Sequence, residues 1–131
     1  MSLEETLLDV RAVIAAYFDA INSERYDDVA ALFAEDGTLI APGTKLRQGR
    51  EAIAAFFPKV LARYPEHYDD AARVLVDGRA AAVEIDFTGK LDTGEPISFQ
   101  AIDIFDLDEQ GKIAKLSTWY DSHPLRQQLG I

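Results

Sequence analysis

The sequence predicts one α+β domain over residues 1–131, with three N-terminal helices packed on one face of a curved antiparallel sheet. Three observations carry this. Apolar residues recur every three or four positions up to about residue 61. From about residue 68 the apolar period falls to two, and the pairs Asp77-Gly78, Thr93-Gly94 and Gln110-Gly111 cut that second half into runs of strand length.

Each element has its own signal. Leu3, Leu7, Val10, Ile14, Tyr17 or Phe18, and Ile21 lay one apolar stripe along a first helix. Tyr26, Val29, Ala30, Leu32 and Phe33 continue as a short second helix, with Ser23 and Asp27 able to cap it and Asp36-Gly37 ending it. Thr38-Leu39-Ile40 reads as a short strand that Pro42-Gly43 terminates. Gly49-Arg50-Glu51 then opens a third helix through Ile53, Phe56, Phe57, Val60 and Leu61, which Pro58 should kink or split because proline lacks the amide proton a helix interior uses. Four strands follow at roughly 71–77, 80–90, 95–107 and 112–121 as an antiparallel meander, and residues 124–131 form a weak terminal helix.

Composition narrows the chemistry. With no cysteine, disulfides, thiol catalysis and thiolate metal sites are excluded, which fits a reducing, cytoplasmic setting. The longest apolar stretches are too short to span a bilayer, and no basic region precedes an apolar run at the N-terminus. The 13 basic against 23 acidic residues give a net charge of −10, so nucleic acid and anionic membranes are repelled by the average field.

The order of elements and several strings resemble the NTF2-like superfamily, the cone-shaped fold of SnoaL-like polyketide cyclases and ketosteroid isomerases. The strings are Tyr17-Phe18-Asp19-Ala20-Ile21-Asn22, Ala31 to Thr38 (ALFAEDGT), Gly49-Arg50-Glu51-Ala52-Ile53, Ile102-Asp103-Ile104-Phe105 with Gly111-Lys112-Ile113, and Arg126-Gln127-Gln128-Leu129-Gly130. Together they span nearly the whole chain. They identify a fold rather than an activity, because the superfamily holds isomerases, cyclases, dehydratases, epoxide hydrolases and members without known chemistry.

Asp103 is the most informative residue. Its strand is apolar at Phe99, Ala101 and Phe105, and a carboxyl among such neighbours is costly to ionise, which raises its pKa and lets it donate a hydrogen bond. The alternative is a structural pairing with a hydroxyl or amide. In the ketosteroid isomerases the matching position is the aspartic acid of the oxyanion hole, and Tyr17 matches the tyrosine that completes it. A core tyrosine bonded to a carbonyl is the alternative for Tyr17. The isomerases' general base aligns with Ala41, which cannot move a proton, and two of their supporting tyrosines align with Phe33 and Phe57.

Glu84 and Asp86 offer a replacement base if Thr93-Gly94 makes a two-residue turn, for then Ala101 faces Asp86, Asp103 faces Glu84, and the acids share one face. A slip of one residue sends both acids to the other face and sets Val83, Ile85 and Phe87 beside Asp103. Epoxide hydrolases of the superfamily carry an inward arginine and aspartate at the Glu84 and Asp86 positions and a third carboxylate at that of Thr118; here only Asp86 matches, so their triad is incomplete.

The histidines, His67 and His123, fall in expected loops as surface residues, with no metal-ligand spacing, and Asp69-Asp70 reads as a solvated acidic rim. No phosphate loop, nucleophile elbow or cofactor fingerprint is present. The expected activity is therefore cofactor-free and metal-free proton transfer on a small, largely apolar or amphipathic carbonyl or hydroxyl compound. Tyr17 and Asp103 are its donors and Asp86 its base, with Phe57, Glu84, Phe99, Ala101, Thr118 and Tyr120 lining the site. A ligand-binding or dimer-forming module without turnover is the competing reading. A homodimer is expected through the outer sheet face, where Ile102 and Ile104 are joined by Val83, Ile85 and Phe87 in the preferred register.

Overall fold

The computed structural model describes residues 2–131, with only the backbone of Leu7 and Leu8, so the expected place of the Leu7 side chain in the stripe lies outside the described residues. Helix α1 runs Leu3–Asn22 and is capped by the Ser2 hydroxyl, which accepts from the Glu5 amide. Its buried stripe consists of Val10, Ile14, Tyr17, Phe18 and Ile21, whereas Leu3, expected on it, is exposed in the first turn.

Helix α2 is only Tyr26–Ala31, and neither Ser23 nor Asp27 caps it; Arg25 holds the N-cap position without a side-chain bond. The expected helix through Phe33 is instead strand β1, Phe33–Ile40. Long-range pairing overrides local propensity here, because Phe33 pairs with Ile113 and Leu39 with Leu116, and a bulge between Phe33 and Thr38 absorbs the intervening polar residues. Gly37 sits in that bulge, where a Cβ would lie 3.0 Å from the carbonyl oxygens of both Ala34 and Ile113. A two-residue strand β2, Arg47–Gln48, not foreseen in the sequence, pairs with β1.

Helix α3, Arg50–Leu61, starts from Gly49 at φ +89° and runs through Pro58 without splitting. Pro58 stands in the last turn, where its missing amide costs one bond and the helix is about to end. Strands β3 (Glu66–Asp77), β4 (Ala80–Lys90), β5 (Pro96–Leu107) and β6 (Ile113–Trp119) form the expected meander, with β3 starting earlier than foreseen, and helix α4 covers Ser122–Leu129. The sheet order is β2-β1-β6-β5-β4-β3. It is mixed rather than wholly antiparallel, since β1 joins β6 in parallel.

The β4–β5 register corrects the preferred expectation. Lys90 pairs with Pro96 across a five-residue loop, so Val83 faces Asp103, Ile85 faces Ala101, Glu84 faces Ile102 and Asp86 faces Gln100. Val83, Ile85 and Phe87 are buried under the helices, and the outward set is Glu84, Asp86, Gln100 and Ile102. The reason is hydrophobic: the alternate apolar set of β4 buries far more area against α1 and α3 than its acidic set could without uncompensated desolvation. The core joins α1, α3 and the inner sheet face, and a smaller cluster of Tyr64, Phe87, Ile97 and Leu125 closes the far end beneath α4.

Candidate active site

Between the helices and the inner sheet face lies a cavity of about 170 Å³. Asp103 enters it from β5, a central strand, because its neighbours on that face, Ala101 and Phe105, must point to the core. It is 4% exposed. The Thr118 hydroxyl on β6, paired directly with Asp103, donates to Asp103 Oδ1 at 2.7 Å. Burial pushes the Asp103 carboxyl up to about 7; the Thr118 hydrogen bond opposes that rise and the charge of Asp69 adds to it.

Tyr17, also 4% exposed, is held edge-on against Phe18 and Phe105 at ring-centroid distances of 5.0 and 5.1 Å. Among the described residues no partner meets its hydroxyl, which leaves it free for an occupant of the cavity it lines. Burial raises its pKa well above the usual 10, and the charges of Asp103 and Asp69 raise it further, so the phenol keeps its proton.

Phe57, Phe99, Ala101, Thr118 and Tyr120 line the cavity. Glu84 and Asp86 do not. Glu84 Oε1 lies on the outer face, 2.8 Å from Arg73, and Asp86 Oδ1 accepts from the Gln100 amide at 3.0 Å. The pairing that turns β4 inward at Val83, Ile85 and Phe87 turns these two carboxylates away, so neither reaches Asp103. Ala41, at the position of the isomerases' base, does line the cavity.

The acid that sequence reading missed is Asp69. Successive strand residues point to opposite faces, so Asp69 enters the cavity while Asp70 faces out. Its backbone is clamped to the end of α1: the Asp69 amide donates to Asn22 Oδ1 at 2.8 Å, and Asn22 Nδ2 donates to the Asp69 carbonyl at 3.0 Å. Burial raises the Asp69 carboxyl to about 6, with His67 opposing the rise. His67 is no surface loop residue. It stands on β3 with its side chain 2% exposed, Nε2 3.0 Å from Glu24 Oε1 and Nδ1 without a partner. An alternation of His67, Asp69 and Ala71 was the available signal for an inward face starting before residue 71.

Among the described residues no three His, Cys, Asp or Glu side chains gather as a metal site, and no helix is long and apolar enough to cross a membrane. What the arrangement offers is a phenol, a protonated carboxyl and a more acidic carboxyl around one apolar space.

Comparison with known proteins places these features. Residues 14–116 match the family model for a SnoaL-like domain. Among solved structures, a protein from Xanthomonas campestris named as a polyketide cyclase superposes with a TM-score of 0.85 at 20% identity, covering 93% of this chain and 97% of that one. A protein of ketosteroid isomerase-like fold from Catenulispora acidiphila, in complex with trimethylamine, gives 0.82 at 17% identity, covering 91% and 92%. An LEH-like epoxide hydrolase of M. tuberculosis gives 0.78 at 21% identity, covering 95% and 91%. At these identities the likeness establishes the fold alone. No curated protein matches the chain.

Proposed function

Because the chain belongs to the SnoaL-like domain family, we propose that it transfers protons on a small, largely apolar carbonyl or hydroxyl compound within this cavity, as an isomerase, cyclase or dehydratase using side chains alone. The observation that supports the reading is that Tyr17, Asp103 and Asp69 line one cavity with their proton affinities set apart. Tyr17 and Asp103 donate to the substrate oxygen. Asp69, the most acidic of the three, is the base in place of the outward Asp86.

In the reaction the Asp69 carboxylate takes a proton from the carbon beside the carbonyl, and the electron pair moves onto the oxygen. Two donors facing that oxygen stabilise the enolate as charge develops, in a space where apolar walls keep the effective dielectric low. Asp69 then returns the proton to a different carbon or assists loss of a hydroxyl. Burial raises Asp103 further than Asp69, so as pH rises Asp69 gives up its proton ahead of Asp103, the order this cycle needs.

The second reading, ligand binding without turnover, is favoured by Ala41 lining the cavity where the isomerases carry their base. One experiment separates the two: small apolar ketones in D₂O, followed by proton NMR. Deuterium should enter the carbon beside the carbonyl faster than in buffer, more slowly with Tyr17→Phe, and at the buffer rate with Asp69→Asn. Exchange by the parent protein no faster than buffer refutes proton transfer and leaves the binding reading.

A further inference from the structure

The charge balance of the cavity carries a second conclusion, one that holds whether or not the occupant is turned over. Eight of the residues lining it are aromatic, among them Tyr17, Phe56, Phe57, Phe87, Phe99 and Tyr120, and its only ionisable carboxylates are Asp69 and Asp103. No lysine, arginine or histidine is among the lining residues. An anionic ligand would meet two acids and no counter-charge.

Two polar groups here are left incomplete by the protein. Thr118 satisfies one oxygen of Asp103 and leaves the other, and the Tyr17 hydroxyl, 4% exposed as a residue, has no partner among the described residues. Asp69 is held by Asn22 through its backbone, which aims the side chain without occupying it. Aromatic rings attract cations through their negative faces, and a desolvated cation gains more from this than an exposed one. A cavity of about 150 Å³ takes a molecule the size of benzene, so one of about 170 Å³ has room for a compact ligand.

We propose that the cavity binds a small organic cation, an alkylammonium group whose charge lies between Asp69 and Asp103 and whose alkyl groups lie against the aromatic wall. The groups facing the two acids are Tyr17 from α1, Tyr26 from α2, His67 from β3 and Thr118 from β6. His67 Nε2 lies 3.0 Å from the exposed Glu24 carboxylate, and His67 opposes only part of the rise that burial imposes on Asp69. A cation stabilises both carboxylates, so its binding releases protons, and affinity rises with pH through the range in which the empty cavity holds them.

The test uses two probes of one shape and different charge, choline and 3,3-dimethylbutan-1-ol, titrated against the whole protein by chemical-shift mapping at pH 5 and pH 8. Choline should shift resonances of Asp69, Asp103 and the aromatic wall, with affinity rising about tenfold or more between the two pH values, while the alcohol binds more weakly and without that dependence. Asp69→Asn should cost choline about tenfold at pH 8 and leave the alcohol unchanged, which a merely damaged fold would not do. Equal or tighter binding of the alcohol at pH 8, choline affinity that is flat or falls with pH, or no choline binding overturns the proposal. Deuterium exchange in ketones is untouched by that outcome, so the two readings fail separately.

Discussion

Replacing Asp103 by Asn removes an ionisation while keeping the shape and both hydrogen-bonding roles of the side chain. Asn can still accept from Thr118 Oγ1 through its amide oxygen, the bond made at 2.7 Å in the native protein, and its NH₂ can point into the cavity as the protonated carboxyl does. The carboxyl has its usual pKa of 3.8 in the unfolded chain and about 7 in the folded one. Between those values the folded state binds more protons than the unfolded state, so stability falls as pH rises. The contribution of the neutral acid is fully present below pH 3.8, fades through pH 7 and is absent above it. At about 1.36 kcal/mol per pH unit, the span from 3.8 to about 7 corresponds to about 4 kcal/mol. Asp103→Asn should therefore match the parent near pH 4 and exceed it increasingly up to pH 8.5, where the gain corresponds to roughly 15 °C in melting temperature for a domain of this size. The assay is a pair of thermal melts by circular dichroism at half-unit pH steps. A variant that melts below its parent at pH 8.5, or a gap that does not widen with pH, means that Asp103 is ionised and structurally paired, and the donor role assigned to it is lost.

Three further outcomes follow from the same geometry. Thr118→Val removes the hydroxyl that favours the ionised form of Asp103, so the carboxyl should titrate above 7, as read from its ¹³C resonance; an unchanged or lower midpoint contradicts the hydrogen bond. Gly37→Ala places a Cβ 3.0 Å from two backbone oxygens that cannot swing aside, and should cost about 1–3 kcal/mol in urea unfolding, whereas a neutral effect shows the bulge to be pliable. The outer sheet face carries Trp119, 56% exposed, and Ile102, 43% exposed, paired in one row; we expect a two-fold dimer there, broken by Trp119→Lys, and a monomer in light scattering of the parent at micromolar concentration refutes it.

The helical and strand halves were legible because their apolar periods differ and their turns are marked by glycine. The register of β4 on β5 was not, since it hung on one assumption about a loop. A two-residue turn at Thr93-Gly94 and the observed loop, in which the Leu91 amide bonds to the Glu95 carbonyl and that of Gly94 to Leu91, differ by one residue of offset, and one residue exchanges every face. The apolar alternation of Val83, Ile85 and Phe87 carries the observed register, because burying those three side chains outweighs gathering acids on one face. Asp69 was hidden for a related reason: adjacent aspartates look like a solvated run, yet within a strand one of any adjacent pair must turn toward the helices. Tyr17, Asp103 and Thr118 were readable because each stands in a pattern whose other members are unmistakably core.

The position of β6 between β1 and β5 bears on how the chain reaches this state. The strand that bridges the two parts of the sheet is the last one synthesised, so Phe33–Ile40 must wait for a partner about 75 residues further along, as in the pairing of Thr38 with Lys115. Such separation raises contact order and slows folding relative to a helical bundle of equal length. On the ribosome the N-terminal helices would emerge well before the strand that anchors β1, and a nascent chain cut before residue 113 would lose the middle of its sheet rather than its edge. The exposed flank of β1 during that interval is where a chaperone, or another unfinished copy, would find an unpaired strand to hold.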